Sequence, residues 1–327
     1  MRVAENLNAA LHGLLNDDHT AYVLGEDILD PYGGAFKITK GLSTRFPERV
    51  IGTPISEGAL TGVAAGLALA GNTAVAEIMF GDFVALAFDQ LCNFAGKSVS
   101  MYGRRLPLRM VVRCPTGGGR GYGPTHSQSL QKHFVGMPGL SLYEMSPFHD
   151  NRAVFAAMLE RGEPCVFFED KVLYTRQMER VDPLFLMRRD GDLAVVDIRD
   201  AGDRPDCVVI APGGMVHRVL GAMRSLMMEE EISARLLVPS RLYPLDVDTL
   251  LPHLGDVVLV AEESTAGGTW GSEVAHLLHA RLWDRLRGPV RLVHSRDSVI
   301  PTAAHLENEV LAGESTIHHA AREALRG

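Results

Sequence analysis

Short runs of β-branched and apolar residues recur along this 327-residue chain at intervals that leave room for a helix between them, and that alternation limits the possible folds more than any other feature. In the first half the runs are 21–25, 50–52, 74–80, 108–114, 140–145 and 165–169. Helical patterns lie between them: 58–70 is dominated by Gly, Ala and Leu, 83–99 carries Asp89 and Gln90 on an otherwise apolar face, and 148–160 follows a Ser146-Pro147 start signal. Strands separated by helices pair in parallel, and the crossover helices cover both faces of the sheet. A second series follows at 206–211, 233–239, 257–262 and 290–294. Its best helix covers 216–228, where Val216, Val219, Leu220, Met223, Leu226 and Met227 form the stripe of a half-buried helix and the methionines fill core. Another helix, 271–286, follows the Gly267-Gly268 turn.

Between the two series Arg176, Arg180, Arg188, Arg189, Asp190, Gly191 and Asp192 break the apolar rhythm. The expectation is therefore an α/β chain of two doubly wound domains, 1–180 and 195–327, joined by a linker at 181–194. With 46% hydrophobic and 22% charged residues the composition is that of an ordinary globular protein. A net charge of -8, without any block of Lys or Arg, argues against a nucleic-acid surface. The longest small or apolar run, near 58–71, is too short and too Gly-rich to span a bilayer, and the N-terminal residues hold Glu5 and no apolar core of a signal peptide, so a cytoplasmic protein is expected. Cys92, Cys114, Cys165 and Cys207 lie far apart and read as reduced core thiols. His276 with His279, and His318 with His319, lack Cys or acid partners at metal spacing, so no metal site is expected in this chain.

Four strings carry candidate chemistry. Thr53-Pro54-Ile55-Ser56-Glu57-Gly58 places one carboxyl at a tight turn entering a small-residue helix, where it serves either as a proton donor and acceptor or simply as a first-turn acid complementing the helix dipole. Downstream come Ala-Glu-Ile-Met-Phe-Gly-Asp-Phe at 76–83, Arg113-Cys114-Pro115-Thr116-Gly117-Gly118-Gly119, and His126-Ser127-Gln128-Ser129. The run 117–123 holds five glycines in seven residues but neither G-x-G-x-x-G nor G-x-x-x-x-G-K-[ST], so it reads as a loop free to take positive φ rather than a phosphate cradle. It delivers His126, which suits either proton chemistry or a surface role.

Together with Gly25-Glu26-Asp27, Gly33-Gly34-Ala35-Phe36, Asp89-Gln90, Pro138-Gly139-Leu140, 168–174 and 262–271, these strings resemble, over nearly the whole chain, the beta subunit of the E1 component of 2-oxo acid dehydrogenase complexes, the thiamine-diphosphate-dependent relatives of transketolase. The resemblance implies a pyrimidine-binding N-terminal domain and a transketolase-C-terminal-like second domain. It implies that Glu57 hydrogen-bonds N1′ of the aminopyrimidine and promotes loss of the thiazolium C2 proton, the work of a carboxyl kept protonated by burial. Phe83 matches the aromatic residue beside that ring, or is ordinary core; Ile55 lies in the same cofactor-binding string. His126 matches the histidine that orients the substrate carbonyl or assists acyl transfer. Glu26 matches an acid facing the cavity, either a proton relay or a buried structural acid.

The family's Gly-Asp-Gly and following Asn-Asn, which hold diphosphate and Mg²⁺, do not occur in this sequence. The resemblance therefore implies that the cofactor and Mg²⁺ are held mainly by an alpha-type subunit in an α2β2 heterotetramer. Where relatives carry an Asp-x-Asn that helps hold a monovalent cation, this chain reads Arg161-Gly162-Glu163, which puts that cation in doubt and suggests the Arg161 guanidinium in its place. The implied reaction is decarboxylation of a 2-oxo acid with transfer of the acyl group to the lipoyl domain of a separate acyltransferase. A second reading keeps the cofactor but transfers an acyl or two-carbon ketol unit, from a ketose for example, to an acyl carrier protein or aldehyde. A third is a non-catalytic scaffold subunit.

Overall fold

The computed structural model describes residues 1–202 and 204–326. In chain order the first half holds α1 (Val3–Asp17), β1 (Ala21–Gly25), α2 (Leu42–Arg45), β2 (Val50–Gly52), α3 (Glu57–Leu69), β3 (Thr73–Glu77), α4 (Gly96–Ser98), β4 (Met110–Thr116), α5 (Gly123–His126), β5 (Ser141–Glu144), α6 (Asn151–Glu160) and β6 (Cys165–Asp170). The second half holds β7 (Phe185–Asp190), β8 (Leu193–Ile198), β9 (Cys207–Ile210), α7 (Val216–Glu230), β10 (Ala234–Pro239), β11 (Arg241–Tyr243), β12 (Val258–Thr265), α8 (Trp270–Leu282), β13 (Arg291–Ser295), α9 (Ala304–Val310) and α10 (Glu314–Arg326).

The chain forms two compact units, and neither is contiguous in sequence. The first comprises 1–116, 134–145 and 149–178; the second comprises 117–133, 146–148 and 179–327. In the first unit six strands pair in the order β5-β6-β4-β3-β1-β2, all parallel. Val3, Leu7, Leu11 and Leu15 recur every four residues on α1 and bury one stripe against Val23, Val75, Val111 and Phe167 of the sheet, joined by Val154, Phe155 and Met158 of α6. Successive strand residues face opposite ways, so Ala74, Ala76, Met110 and Val112 meet the other face, where α3 buries Leu60, Ala64, Ala65 and Ala68. The small side chains of α3 let its backbone approach the sheet closely.

In the second unit the order is β13-β12-β9-β10-β8-β7, parallel from β13 to β10 and antiparallel at β8 and β7. The expected stripe on α7 is present, with Val216, Val219, Met223 and Leu226 buried in the core beside Ile317 and Ala321 of α10. Trp270 is fully buried and donates its indole N–H to the Leu242 carbonyl at 2.9 Å.

Residues 181–194, read from the sequence as a linker, hold β7 and the start of β8, an antiparallel hairpin at the edge of the second sheet. Its charges belong to an exposed edge strand, where Arg188 pairs with Asp197 and Arg189 with Glu179. The segment expected as one helix over 83–99 is broken into a 3-10 turn at Gly81–Ala87, a π turn at Gln90–Ala95 and the short α4. All four cysteines are free; burial pushes the Cys207 thiol up to about 12 and that of Cys114 well above its usual range, which keeps both inert. Among the described residues no helix is long and apolar enough to cross a membrane.

Candidate active site

β1 pairs with β2 on one side and β3 on the other, so the chain reverses its direction of travel across the sheet at β1. In open parallel sheets ligands bind outside the carboxyl ends of strands at such a switch point. Glu26 directly follows β1, and the loop carrying Thr53, Ile55 and Glu57 directly follows β2, so both acids stand at that edge. The Thr53 N–H donates to the Gly25 carbonyl at 3.0 Å and the Ser56 N–H to Glu26 Oε1 at 3.2 Å, which ties the two loops together. Gly25 is required by this packing: a Cβ there would lie 2.8 Å from Ile28 Cγ2 and 3.1 Å from the Glu77 carbonyl oxygen.

Glu57 is the first residue of α3 and is only 4% exposed, yet its carboxyl accepts no hydrogen bond among the described residues. A buried, unpaired acid is costly unless something else satisfies it. Two buried polar atoms without partners, Thr53 Oγ1 and Thr61 Oγ1, lie on the preceding loop and one turn further along the same helix. Glu26 is equally buried, and its carboxyl is raised above the ordinary range first by that burial and then by the charge of Glu57. Unmet hydrogen-bond capacity around a buried acid fits an aminopyrimidine with a basic ring nitrogen. Phe83 is half-buried on the 3-10 turn after β3, whereas the Ile55 side chain is 80% exposed.

His126 belongs to the second unit, half-buried at the end of α5. The loop ahead of it takes positive φ at Gly117, Gly119, Gly121 and Gly123. Within the same unit Glu263 accepts from the Gly118 N–H at 2.7 Å and the Ser129 hydroxyl at 2.8 Å, and is held by Arg218. Burial works to raise the Glu263 carboxyl, but Arg218 and these donors outweigh it and leave it lowered. Glu262 beside it accepts from the Trp270 and Gly271 N–H groups at the start of α8, and burial raises its carboxyl in spite of them.

Sequence reasoning missed a second set of charges. Arg113 on β4 is fully buried, donates from Nε and Nη2 to Glu169 at 2.7 and 2.8 Å, and donates from Nη1 to Glu77 on β3. Tyr174 donates its hydroxyl to Glu169 at 2.6 Å. One cation faces two carboxyl groups, and burial raises Glu77, which favours its protonated form. Register pairing of Glu77 with Arg113 across adjacent strands is the signal that could have found it.

At the 161–163 turn the Arg161 guanidinium lies 2.5 to 2.7 Å from Glu163 Oε1 and 3.1 Å from Ser141 Oγ. The Arg161 guanidinium thus places a fixed positive charge at this turn. Among the described residues no group of His, Cys, Asp and Glu could hold a metal ion.

A family model described as the transketolase pyrimidine-binding domain matches residues 1–177, and one described as the transketolase C-terminal domain matches residues 197–317. The acetoin:2,6-dichlorophenolindophenol oxidoreductase beta subunit of Cupriavidus necator is 29% identical over 98% of this chain and 96% of its own length. The pyruvate dehydrogenase E1 beta subunit of Porphyra purpurea is 32% identical over 92% of this chain and 89% of its own. A solved split-gene transketolase, an inactive beta4 tetramer, superposes with a TM-score of 0.74 at 23% identity, covering 100% of this chain and 99% of that one, and so shares the fold.

Proposed function

The chain belongs to the transketolase family, among the E1 beta subunits of 2-oxo acid dehydrogenases, and from that premise we propose that it is the thiamine-diphosphate-binding beta half of such an enzyme, decarboxylating a 2-oxo acid and passing the acyl group to a lipoyl domain. The observation that carries the reading is Glu57, a buried carboxyl at the switch-point edge with no partner of its own.

When bound, thiamine diphosphate supplies the nucleophilic carbon and the electron sink for loss of CO₂. Glu57 would hold and exchange a proton with the aminopyrimidine N1′, and the positive end of α3 would stabilise the carboxylate form each time the proton leaves. Glu26, whose burial and acidic neighbour favour its protonated state, would share that proton with Glu57. Phe83 would pack on the ring and shield the exchange from water, and Ile55 would lose its exposure beneath the cofactor or a partner chain. His126 would orient the 2-oxo carbonyl and hand a proton to the acceptor.

Diphosphate and Mg²⁺ would fall to an alpha-type partner. On α3 the residues Ala59, Val63 and Gly66, with Ala70 just past its end, are exposed along one stripe, an apolar small-residue face suited to close packing against another chain. Calorimetric titration of thiamine diphosphate with Mg²⁺ is expected to show binding to the chain mixed with its alpha partner and not to the chain alone. The mixture should then reduce 2,6-dichlorophenolindophenol with one of pyruvate, 2-oxobutyrate or 3-methyl-2-oxobutanoate, and Glu57→Gln should abolish turnover without loss of assembly. Full turnover in an assembled Glu57→Gln enzyme would refute the reading.

A further inference from the structure

The N–H groups of Gly118, Gly119 and Gly121 in the glycine-rich loop point at two carboxylates far along the chain, both in the same compact unit as the loop. Glu263 Oε1 takes the Gly118 N–H at 2.7 Å and the Ser129 hydroxyl at 2.8 Å, so a single oxygen ties the start of the loop to its end, three residues past His126. Glu307 on α9 takes the Gly119 N–H on Oε1 at 2.9 Å and the Gly121 N–H on Oε2 at 3.2 Å. The Gly117 N–H closes the base on the Gln128 carbonyl at 3.1 Å. Both acids are buried, 7% and 2% exposed, and Arg218 fixes the second oxygen of Glu263. A Cβ on Gly118 would stand 2.6 Å from Leu311 Cδ1, so the loop is also packed from the side of α9.

Five glycines in seven residues leave a backbone with much freedom to lose, and a histidine at its end would sample many positions unless the loop were fixed. Hydrogen bonds donated by the loop's N–H groups to buried carboxylates supply that restraint over 117–122, which lie in neither strand nor helix. We propose that Glu263 and Glu307 are positioning residues for His126: the pair clasps the loop at its ends and its tip and sets where the imidazole stands during turnover. This rests on the role given to His126 above. Neither acid needs to touch substrate or cofactor for the effect, and a displacement of about 1 Å at a reacting group can cost on the order of 10²-fold in rate.

Glu307 is the acid to change, since Glu263 carries a buried ion pair whose loss risks the fold. In the assembled enzyme, with whichever of the three 2-oxo acids above turns over fastest and dye reduction as the readout, Glu307→Ala is expected to lower kcat at unchanged KM. Glu307→Gln, which keeps one acceptor oxygen for the Gly119 N–H but turns an NH2 toward the Gly121 N–H, should restore only part of it. In a His126→Ala background Glu307→Ala should cause no further loss, because the residue it positions is gone. Hydrogen exchange over residues 117–129 should accelerate in Glu307→Ala. An equal loss of kcat in both backgrounds, or unchanged exchange in that segment, would overturn the proposal. Wild-type turnover in His126→Ala would instead overturn the catalytic role of the histidine, while the exchange measurement still decides whether the carboxylates hold the loop.

Discussion

Replacing Arg113 by Met removes the one cation from the buried cluster and strands Glu77 and Glu169 in the first unit's core, at 3% and 0% exposure. Breaking a buried ion pair by removing one partner costs about 3–5 kcal/mol when the remaining charge stays ionised. Glu77, which burial already raises, can escape that cost by taking up a proton, so the loss depends on pH. In the variant the Glu77 carboxyl, already raised by burial, also loses the guanidinium that opposes that rise, so the folded chain binds more protons than the unfolded one and stability falls as pH rises above the unfolded value of about 4.3. Each retained proton contributes a slope of about 1.4 kcal/mol per pH unit. The expected result is a small defect near pH 5 that grows to about 3–5 kcal/mol above neutrality, with Glu77→Gln added to Arg113→Met recovering part of it. The two tryptophans, Trp270 and Trp283, lie in the second unit, so their fluorescence in urea provides an internal control that should not move, while hydrogen exchange in peptides from β3, β4 and β6 reports the first unit. A loss that is the same at pH 5 and pH 8, or below about 1 kcal/mol throughout, would refute Arg113 as the counter-charge of these buried carboxyl groups.

Glu57→Gln removes the like charge beside Glu26 and should bring the Glu26 carboxyl down from its raised value, which a carboxyl carbon titration by NMR would read as an earlier midpoint; an unmoved midpoint would separate the two acids. Because Glu26 is raised, its contribution to stability is present at low pH and declines as pH rises through its folded value, and the Glu57→Gln background should flatten that decline. Thermal stability of the wild-type chain should be the same in potassium, sodium and choline chloride at equal ionic strength, since Arg161 already occupies the 161–163 turn; a gain specific to potassium would contradict this. Leu11→Ala, in the middle of the buried α1 stripe, should destabilise the first unit by about 2–5 kcal/mol in the same exchange assay, and a smaller loss would mean that α1 packs less tightly than its burial indicates.

The elements legible in the sequence were those whose own residues decide them. β1 and β2 begin and end where their apolar runs do, and the α7 stripe is continuous enough to fix its buried face. The hairpin at β7 and β8 was not legible because an exposed edge strand has the same charged composition as a linker. The break in the 83–99 segment was hidden as well, since a π turn keeps helical composition while shifting its hydrogen bonds by one residue. Among the candidate residues, Glu57 stood out by its turn and His126 by its glycine-rich approach. Glu263 and Glu307 did not, because what makes them matter is a set of hydrogen bonds spanning 145 and 188 residues, which leaves no local pattern.

Those separations also have a meaning in time. A ribosome adding about 5–20 residues per second reaches Glu263 some 7–30 s after Gly118, and Glu307 about 10–40 s after Gly119. By then β4, β5 and β6, which flank the loop in the chain, have all been made and have had time to pair. Residues 117–133 therefore emerge as a polar excursion from an otherwise assembling sheet, and their glycines and serines give nascent neighbours little apolar surface to capture while the two acids are still to come.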